Sequence, residues 1–277
     1  MPVRLQSLRC ADADAILRRG RVLLVHSLGL NAACYVPLCE QLPYGWQVDG
    51  YDQRGHGNRS NEGGFGLDAL VDDAIDAVSQ LAPATVHLMG HSMGGVIAAL
   101  AAARAGSRVA SLTLIATPSA GSAAFEERAA TAEREGMEAA IEATLARWLD
   151  GEHDTLQVRR ARASARSALQ AMSMADFSAA WRALASFGDF AFADRSLPPL
   201  LCIAARGDAS TPPEVMQRIV AQRLQAQPAG PARLSVVPGA GHLLPLTRPS
   251  PVAALLADHW TATLPDPSQF NEHRETP

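Results

Sequence analysis

The sequence predicts an α/β fold with a mostly parallel central sheet flanked by helices, and three observations carry that prediction. Short runs rich in Val, Ile and Leu alternate with Ala-rich stretches of helical spacing. A Gly-rich turn joins one such run directly to a helical stretch at residues 90–95. The 277 residues, 48% hydrophobic and 19% charged, are enough to bury a large core without disulfide or metal support.

The elements follow in order. Residues 21–25 (RVLLV) read as a buried strand ending at His26, and residues 47–51 as a second strand running into Asp52. Residues 85–89, 112–115, 200–204 and 234–237 complete the set, with helices expected over 67–81 and 95–105. The alternation stops between residues 121 and 196. There Met137, Ile141, Leu145 and Trp148, then Phe177, Trp181, Leu184 and Phe187, recur at helical spacing. Residues 125–187 therefore read as several helices without a strand, inserted as a lid over the sheet. This divides the chain into a first core part (1–120), an all-helical cap (121–196), a second core part (197–260) and a polar C-terminal tail (261–277). Pro198-Pro199 is a suitable return linker, and residues 225–231 read as a loop.

Composition excludes several functions. The formal charge of −4 argues against a broad basic surface for nucleic acid or anionic lipid. All 24 Lys+Arg positions are arginine, so a lysine Schiff base, a lysine general base and a phosphate-binding P-loop are ruled out. The best apolar run, residues 86–103, is interrupted by His87, Gly90, His91, Ser92, Gly94 and Gly95, so no membrane span is expected. No charged n-region precedes an apolar h-region, which makes the cytoplasm the expected compartment. Cys10, Cys34, Cys39 and Cys202 form no zinc-like or CxxC spacing. Cys10 and Cys202 read as buried thiols, and Cys34 and Cys39 as core packing rather than a disulfide. No metal site is expected.

The strongest chemical signal is Gly90-His91-Ser92-Met93-Gly94-Gly95, a GxSxG nucleophile elbow in a strand–turn–helix setting. A serine hydroxyl is a weak nucleophile and needs a base held in one tautomer by an acid. Asp208, in the segment Arg206-Gly207-Asp208 after strand 200–204, is the acid candidate. His242, in Gly239-Ala240-Gly241-His242 after strand 234–237, is the base candidate. All three follow strand C-termini and share one edge of the sheet. The segment Ala116-Thr117-Pro118-Ser119 offers no rival carboxylate. His91 is expected to pack and His26 to shape its loop, while His87 and His56 lie out of the required chain order. His153, His259 and His273 are expected in solvent. An oxyanion needs N–H donors; Met93 supplies one, and Leu28, with Ser27 as its rival, supplies the other from the loop after residue 25.

Taken together, these motifs resemble those of the α/β-hydrolase superfamily. Tyr51-Asp52-Gln53-Arg54-Gly55-His56-Gly57 is similar to that family's D-x-R-G-x-G loop, and Val237-Pro238-Gly239-Ala240-Gly241-His242 to its histidine segment. Within the superfamily the chain is most similar to 3-oxoadipate enol-lactonases, through Ser27-Leu28-Gly29, Gly136-Met137, Arg147-Trp148 and Gly207-Asp208 with Thr211-Pro212-Pro213. The resemblance implies hydrolysis of a small-molecule ester or lactone by Ser92, His242 and Asp208, without metal or organic cofactor. It also implies a substrate carboxylate met by a cation. Arg147 is the first candidate, with Trp148 as a stacking wall, and Arg54, Arg159, Arg160 and Arg166 are alternatives. Trp181, like Trp148, lies on an apolar helix stripe that suits core or pocket. A broad carboxylesterase or thioesterase, and a ligand-binding receptor without turnover, are the competing readings. Homo-oligomerisation stays open.

Overall fold

The computed structural model describes residues 3–62, 64–190 and 197–264. The first part of the chain runs β1 (Gln6–Arg9), α1 (Ala13–Arg19), β2 (Arg21–Val25), α2 (Val36–Glu40), β3 (Gln47–Tyr51), α3 (Leu67–Gln80), β4 (Val86–His91), α4 (Met93–Ala105) and β5 (Val109–Ile115). Four helices follow: α5 (Ala123–Glu135), α6 (Met137–Trp148), α7 (Leu156–Gln170) and α8 (Met174–Ala185). The core then resumes with β6 (Leu200–Ala205), α9 (Pro213–Ala226), β7 (Ala232–Val237), α10 (Leu244–Thr247) and α11 (Pro249–Ala262). Among the described residues the strands form one seven-stranded sheet in the spatial order β1-β3-β2-β4-β5-β6-β7. β1 pairs antiparallel with β3, and every other pairing is parallel.

Parallel strands covered on both faces have no wet side, so they appear in sequence as unbroken apolar runs. Val22, Leu23, Leu24 and Val25 of β2 have no exposed surface, and each contributes about 1.5–3 kcal/mol through burial. β2 and β3 have the bounds expected from the sequence. β4, β5, β6 and β7 are each longer than expected, because register with a neighbouring strand prolongs them past their most apolar residues. β1 is an unanticipated edge strand, four residues long and half-buried, whose pairing with β3 is irregular between Ser7 and Arg9.

Helix α4 lies against β4 and β5 and is buried nearly all round, which its Ala- and Gly-rich sequence permits. Its first turn approaches β2 so closely that a Cβ on Gly94 would collide with the carbonyls of Val25 and His26. Gly94→Ala is therefore expected to cost about 1–3 kcal/mol, read as a lower urea midpoint. An unchanged midpoint would show that β2 and α4 can separate freely.

Each of three inserted helices is capped by a side chain: Ser122 accepts from the Ala124 N–H, Thr155 from Val158, and Ser173 from Asp176. The Asp176 carboxylate also accepts from the Asn61 N–H (2.7 Å), fastening α8 to the loop after β3. The expected cap reaches into residues 191–196, and the expected tail into 265–277; both stretches lie outside the described residues. The start of that tail is helical, since α11 continues to Ala262. Two side chains depart from expectation. Cys10 is exposed, directly after the half-buried edge strand β1. His259 is buried on the inner face of α11 and bonds the Leu112 carbonyl (3.3 Å).

Candidate active site

The C-terminal edge of a parallel sheet is where its loops converge and where ligands bind in open α/β folds. Here the loops after β2, β4, β6 and β7 bring Leu28, Ser92, Asp208 and His242 together. Ser92 sits between β4 and α4 with φ 55° and ψ −119°, a strained backbone that a non-glycine residue keeps only when its surroundings enforce it. The enforcement is local. Cβ atoms on Gly90 and Gly95 would strike the Gly94 backbone and the Thr117 side chain, so small residues on either side let strand and helix crowd together.

The Ser92 hydroxyl donates to His242 Nε2 (3.0 Å), and His242 Nδ1–H donates to Asp208 Oδ2 (2.8 Å). The carboxylate is otherwise saturated. Its Oδ1 accepts from the N–H groups of Ser210 (2.7 Å) and Thr211 (3.0 Å), and Oδ2 from the Thr211 hydroxyl (2.5 Å). Burial pushes the Asp208 pKa up, but the facing His242 and these hydrogen bonds outweigh it and hold the carboxyl well below the usual carboxylate range. Asp208 therefore stays ionised across neutral and mildly acidic pH.

Two buried networks hold the surrounding loops. In the first, a backbone carbonyl can only accept, so His91 Nε2–H donates to the His242 carbonyl (2.9 Å) and leaves Nδ1 to accept from the Tyr35 hydroxyl (2.7 Å). The Tyr35 oxygen in turn accepts from the Ser27 N–H (3.1 Å). That bond occupies the Ser27 N–H, whereas among the described residues neither the Leu28 N–H nor the Met93 N–H has an acceptor. In the second network, Gly29 N–H donates to His56 Nε2 (3.0 Å), while His26 accepts from the Gln53 N–H (2.9 Å). Asp52 accepts from Ala32 and Asn58, bracketing the loops after β2 and β3. The loop role expected of His26 and the packing role expected of His91 both agree with these contacts.

The insertion also grips the histidine loop. Trp148 O accepts the His242 N–H (3.0 Å), the Trp148 ring stacks on the imidazole at 5.9 Å, and Glu152 accepts the Gly241 N–H (2.9 Å). Tyr35 and Glu152 were absent from the sequence analysis, and Thr211 stood there only as part of the segment after Asp208. Tyr35 and Glu152 acquire their parts from contacts made by folding, and no motif marks either.

Neutral burial of histidine has a consequence for stability. Burial pushes His56 and His91 down to about 3, and His87 and His259 down to about 4. Unfolded histidine titrates near 6.5, so below that pH the unfolded chain binds more protons than the folded one. Stability is complete above about pH 6.5 and falls as the pH drops toward 3, by about 1.4 kcal/mol per pH unit for each such histidine. The urea midpoint is expected to fall between pH 7 and pH 5; a flat midpoint would mean that these rings accept protons in place.

Around Ser92 the cavity is lined by Ser27, Leu28, Phe125, Arg128, Trp148 and Trp181, among others. Both tryptophans expected from the sequence line it while remaining buried. Arg147 lies in an adjoining cavity instead, and Arg128, which the sequence did not single out, occupies the wall beside Ser92. The other arginines are engaged elsewhere: Arg54 with Asp73, Arg159 with Asp154, Arg166 with Glu138 and Glu142, while Arg160 lines a separate cleft.

Fold and site define an α/β-hydrolase. Comparison with known proteins agrees: the model of the alpha/beta hydrolase family matches residues 22–255, and the chain belongs to that family. It is 33% identical over 129 residues to a protein of Agrobacterium fabrum that carries the provisional name carbamate hydrolase RutD, covering 44% of this chain and 49% of that one. It is also 33% identical over 115 residues to a pimeloyl-[acyl-carrier protein] methyl ester esterase of Neisseria meningitidis, covering 42% of this chain and 35% of that one. The chain thus spans half or less of these curated relatives. The enol-lactonase of Burkholderia xenovorans superposes with a TM-score of 0.79 at 24% identity, over 94% of this chain and 96% of that one, a likeness of fold. No described helix is long and apolar enough to cross a membrane.

Proposed function

We propose that the protein is a cofactor-independent serine hydrolase that cleaves an ester or lactone bond of a small molecule through an acyl-enzyme. The observation that carries this reading is the unbroken row of hydrogen bonds from Ser92 through His242 to Asp208, at 3.0 and 2.8 Å. The name of the Neisseria relative, a methyl ester esterase, and the fold likeness to an enol-lactonase support the same bond type.

In the first half-reaction Ser92 Oγ attacks the carbonyl carbon while His242 Nε2 takes the hydroxyl proton. The imidazolium that forms faces the ionised Asp208. The carbonyl oxygen becomes an oxyanion held by the N–H groups of Leu28 and Met93, each donor contributing about 2.7–4 kcal/mol. Collapse breaks the bond to the leaving oxygen, which receives the proton from His242. In a lactone that oxygen stays tethered to the acyl group. A water then gives its proton to His242 and attacks the acyl carbon, and Ser92 departs reprotonated. The four inserted helices act as a cap that shields this chemistry from bulk water.

A serine-directed fluorophosphonate is the direct test. The expected result is one adduct per chain, located on Ser92 by peptide mass and absent from His242→Ala at the same exposure. A probe that labels another residue, or none, would remove the nucleophile assignment.

A further inference from the structure

The base of the triad stands on the least covered of the three strands that deliver it. β4 and β6, which lead to Ser92 and Asp208, are buried along their whole length. β7 is the edge strand, and all of its residues but Val237 keep some exposed surface. A loop that leaves a half-wet edge has few packed neighbours to fix it, and such segments open first. His242 must nevertheless hold Nε2 3.0 Å from Ser92 Oγ and Nδ1 2.8 Å from Asp208 Oδ2. Its backbone therefore needs support from outside its own strand.

Part of that support comes from the core. The Gly207 N–H donates to the Ala240 carbonyl (3.0 Å), and His91 Nε2–H donates to the His242 carbonyl (2.9 Å). The inserted helices supply the rest: the Trp148 carbonyl accepts the His242 N–H (3.0 Å), and Glu152 Oε1 accepts the Gly241 N–H (2.9 Å). The approach is close enough that a Cβ on Gly241 would stand 2.8 Å from the Trp148 oxygen and 3.5 Å from Glu152 Cγ.

Glu152 lies in the loop between α6 and α7, and its side chain is 1% exposed. Burying a carboxylate is costly unless donors surround it. Here the Gly241 N–H and the Thr247 hydroxyl (2.9 Å) share Oε1, and Arg248 Nη2 meets Oε2 (2.9 Å). These donors lie on both sides of His242 in the chain, so one carboxylate brackets the segment that carries the base. Apolar packing would seat the helices as well or better. What a carboxylate adds is a fixed acceptor for the backbone N–H directly ahead of His242.

We propose that Glu152 is a positioning residue for the catalytic base: from the inserted helices it fixes the backbone ahead of His242 and keeps the imidazole aligned between Ser92 and Asp208. Among the described residues Glu152 is not part of the Ser92 cavity wall, so substrate binding should not feel its loss. The role rests on the serine-hydrolase reading, but the tautomer of His242 can be measured without turnover.

The test separates the acceptor from the ion pair. Glu152→Met and Glu152→Gln both lose the pair with Arg248, whose partly exposed guanidinium can turn to water. The glutamine oxygen can still accept from Gly241 and Thr247; methionine cannot. With p-nitrophenyl butyrate, Glu152→Met should lower kcat by about 10²-fold, the loss that a misplacement of about 1 Å brings, with KM little changed. Glu152→Gln should recover most of kcat. Glu152→Met/Arg248→Met leaves no unpaired charge, which guards against a folding defect, and should be as slow as Glu152→Met. Nitrogen-15 shifts of labelled histidine should place the His242 proton on Nδ1 in the unaltered chain and in Glu152→Gln, and on either nitrogen in Glu152→Met. Equal kcat in the methionine and glutamine variants, whether both high or both low, would overturn the positioning role and leave the hydrolase reading standing. An unaltered chain that turns over no ester would sink the hydrolase reading, and the tautomer would still decide the role: a mixture confined to the methionine variants supports it, and an Nδ1 proton in all of them overturns it.

Discussion

Ser92→Ala is expected to lower kcat on an activated ester by about six orders of magnitude, and His242→Ala to cost nearly as much. The two residues act on one proton: Ser92 Oγ and His242 Nε2 lie 3.0 Å apart, and neither group helps without the other. The double variant should therefore be hardly slower than either single one. Alanine at position 92 removes a small side chain from a backbone that Gly90, Gly94 and Gly95 already constrain, so the thermal midpoint should move little. Single-turnover kinetics of the three variants would check this. A loss below tenfold for Ser92→Ala, or losses that add in the double variant, would mean that another group is the nucleophile.

Asp208→Asn is expected to cost about 10⁴ in kcat with KM within a few-fold. Asp208 accepts four hydrogen bonds, from the Ser210 and Thr211 amides, the Thr211 hydroxyl and His242 Nδ1–H. The two amides can keep the asparagine carbonyl oxygen in place, which turns the asparagine NH₂ toward His242 Nδ1. The imidazole then carries its proton on Nε2 and cannot take one from Ser92. Because the Asp208 carboxyl titrates well below the usual range, no loss of activity between pH 7 and 5 in the unaltered enzyme belongs to it. A fall in kcat of less than a hundredfold for Asp208→Asn would show that the tautomer of His242 is set by another contact.

Much of this was legible because it is local. The elbow is a strand, a sharp turn and a helix within twenty consecutive residues, and the glycines that make it possible stand beside Ser92 in the chain. Asp208 and His242 could be found because each follows a parallel strand by a few residues, β6 buried and β7 at the edge, and parallel strands deliver their C-terminal loops to one edge. The strands that matched to the residue, β2 and β3, lie side by side in the sheet interior, flanked by β4 and β1. β1 escaped notice because a four-residue, half-wet edge strand has no apolar run to announce it.

What escaped the sequence is what depends on partners far along the chain. His259 was expected in water and is buried, because α11 turns it toward the Leu112 carbonyl 147 positions away. Cys10 was expected inside and is exposed, since a hydrophobic-looking neighbourhood in sequence need not be covered in space. Arg147 was named for a cation in the pocket, yet the helical insertion brings Arg128 to the wall beside Ser92 and leaves Arg147 behind Trp181. By itself, then, the sequence determined the α/β sheet, the elbow and the chain order Ser92, Asp208, His242, because short-range sterics and the burial of apolar runs specify them. Only the tertiary structure decided that Tyr35 and His91 tie the Ser27 loop to the His242 backbone, and which arginine meets the cavity. Hydrogen bonds between residues 56 and 151 positions apart, and the packing angle of a helix over a sheet, are set when the whole core closes.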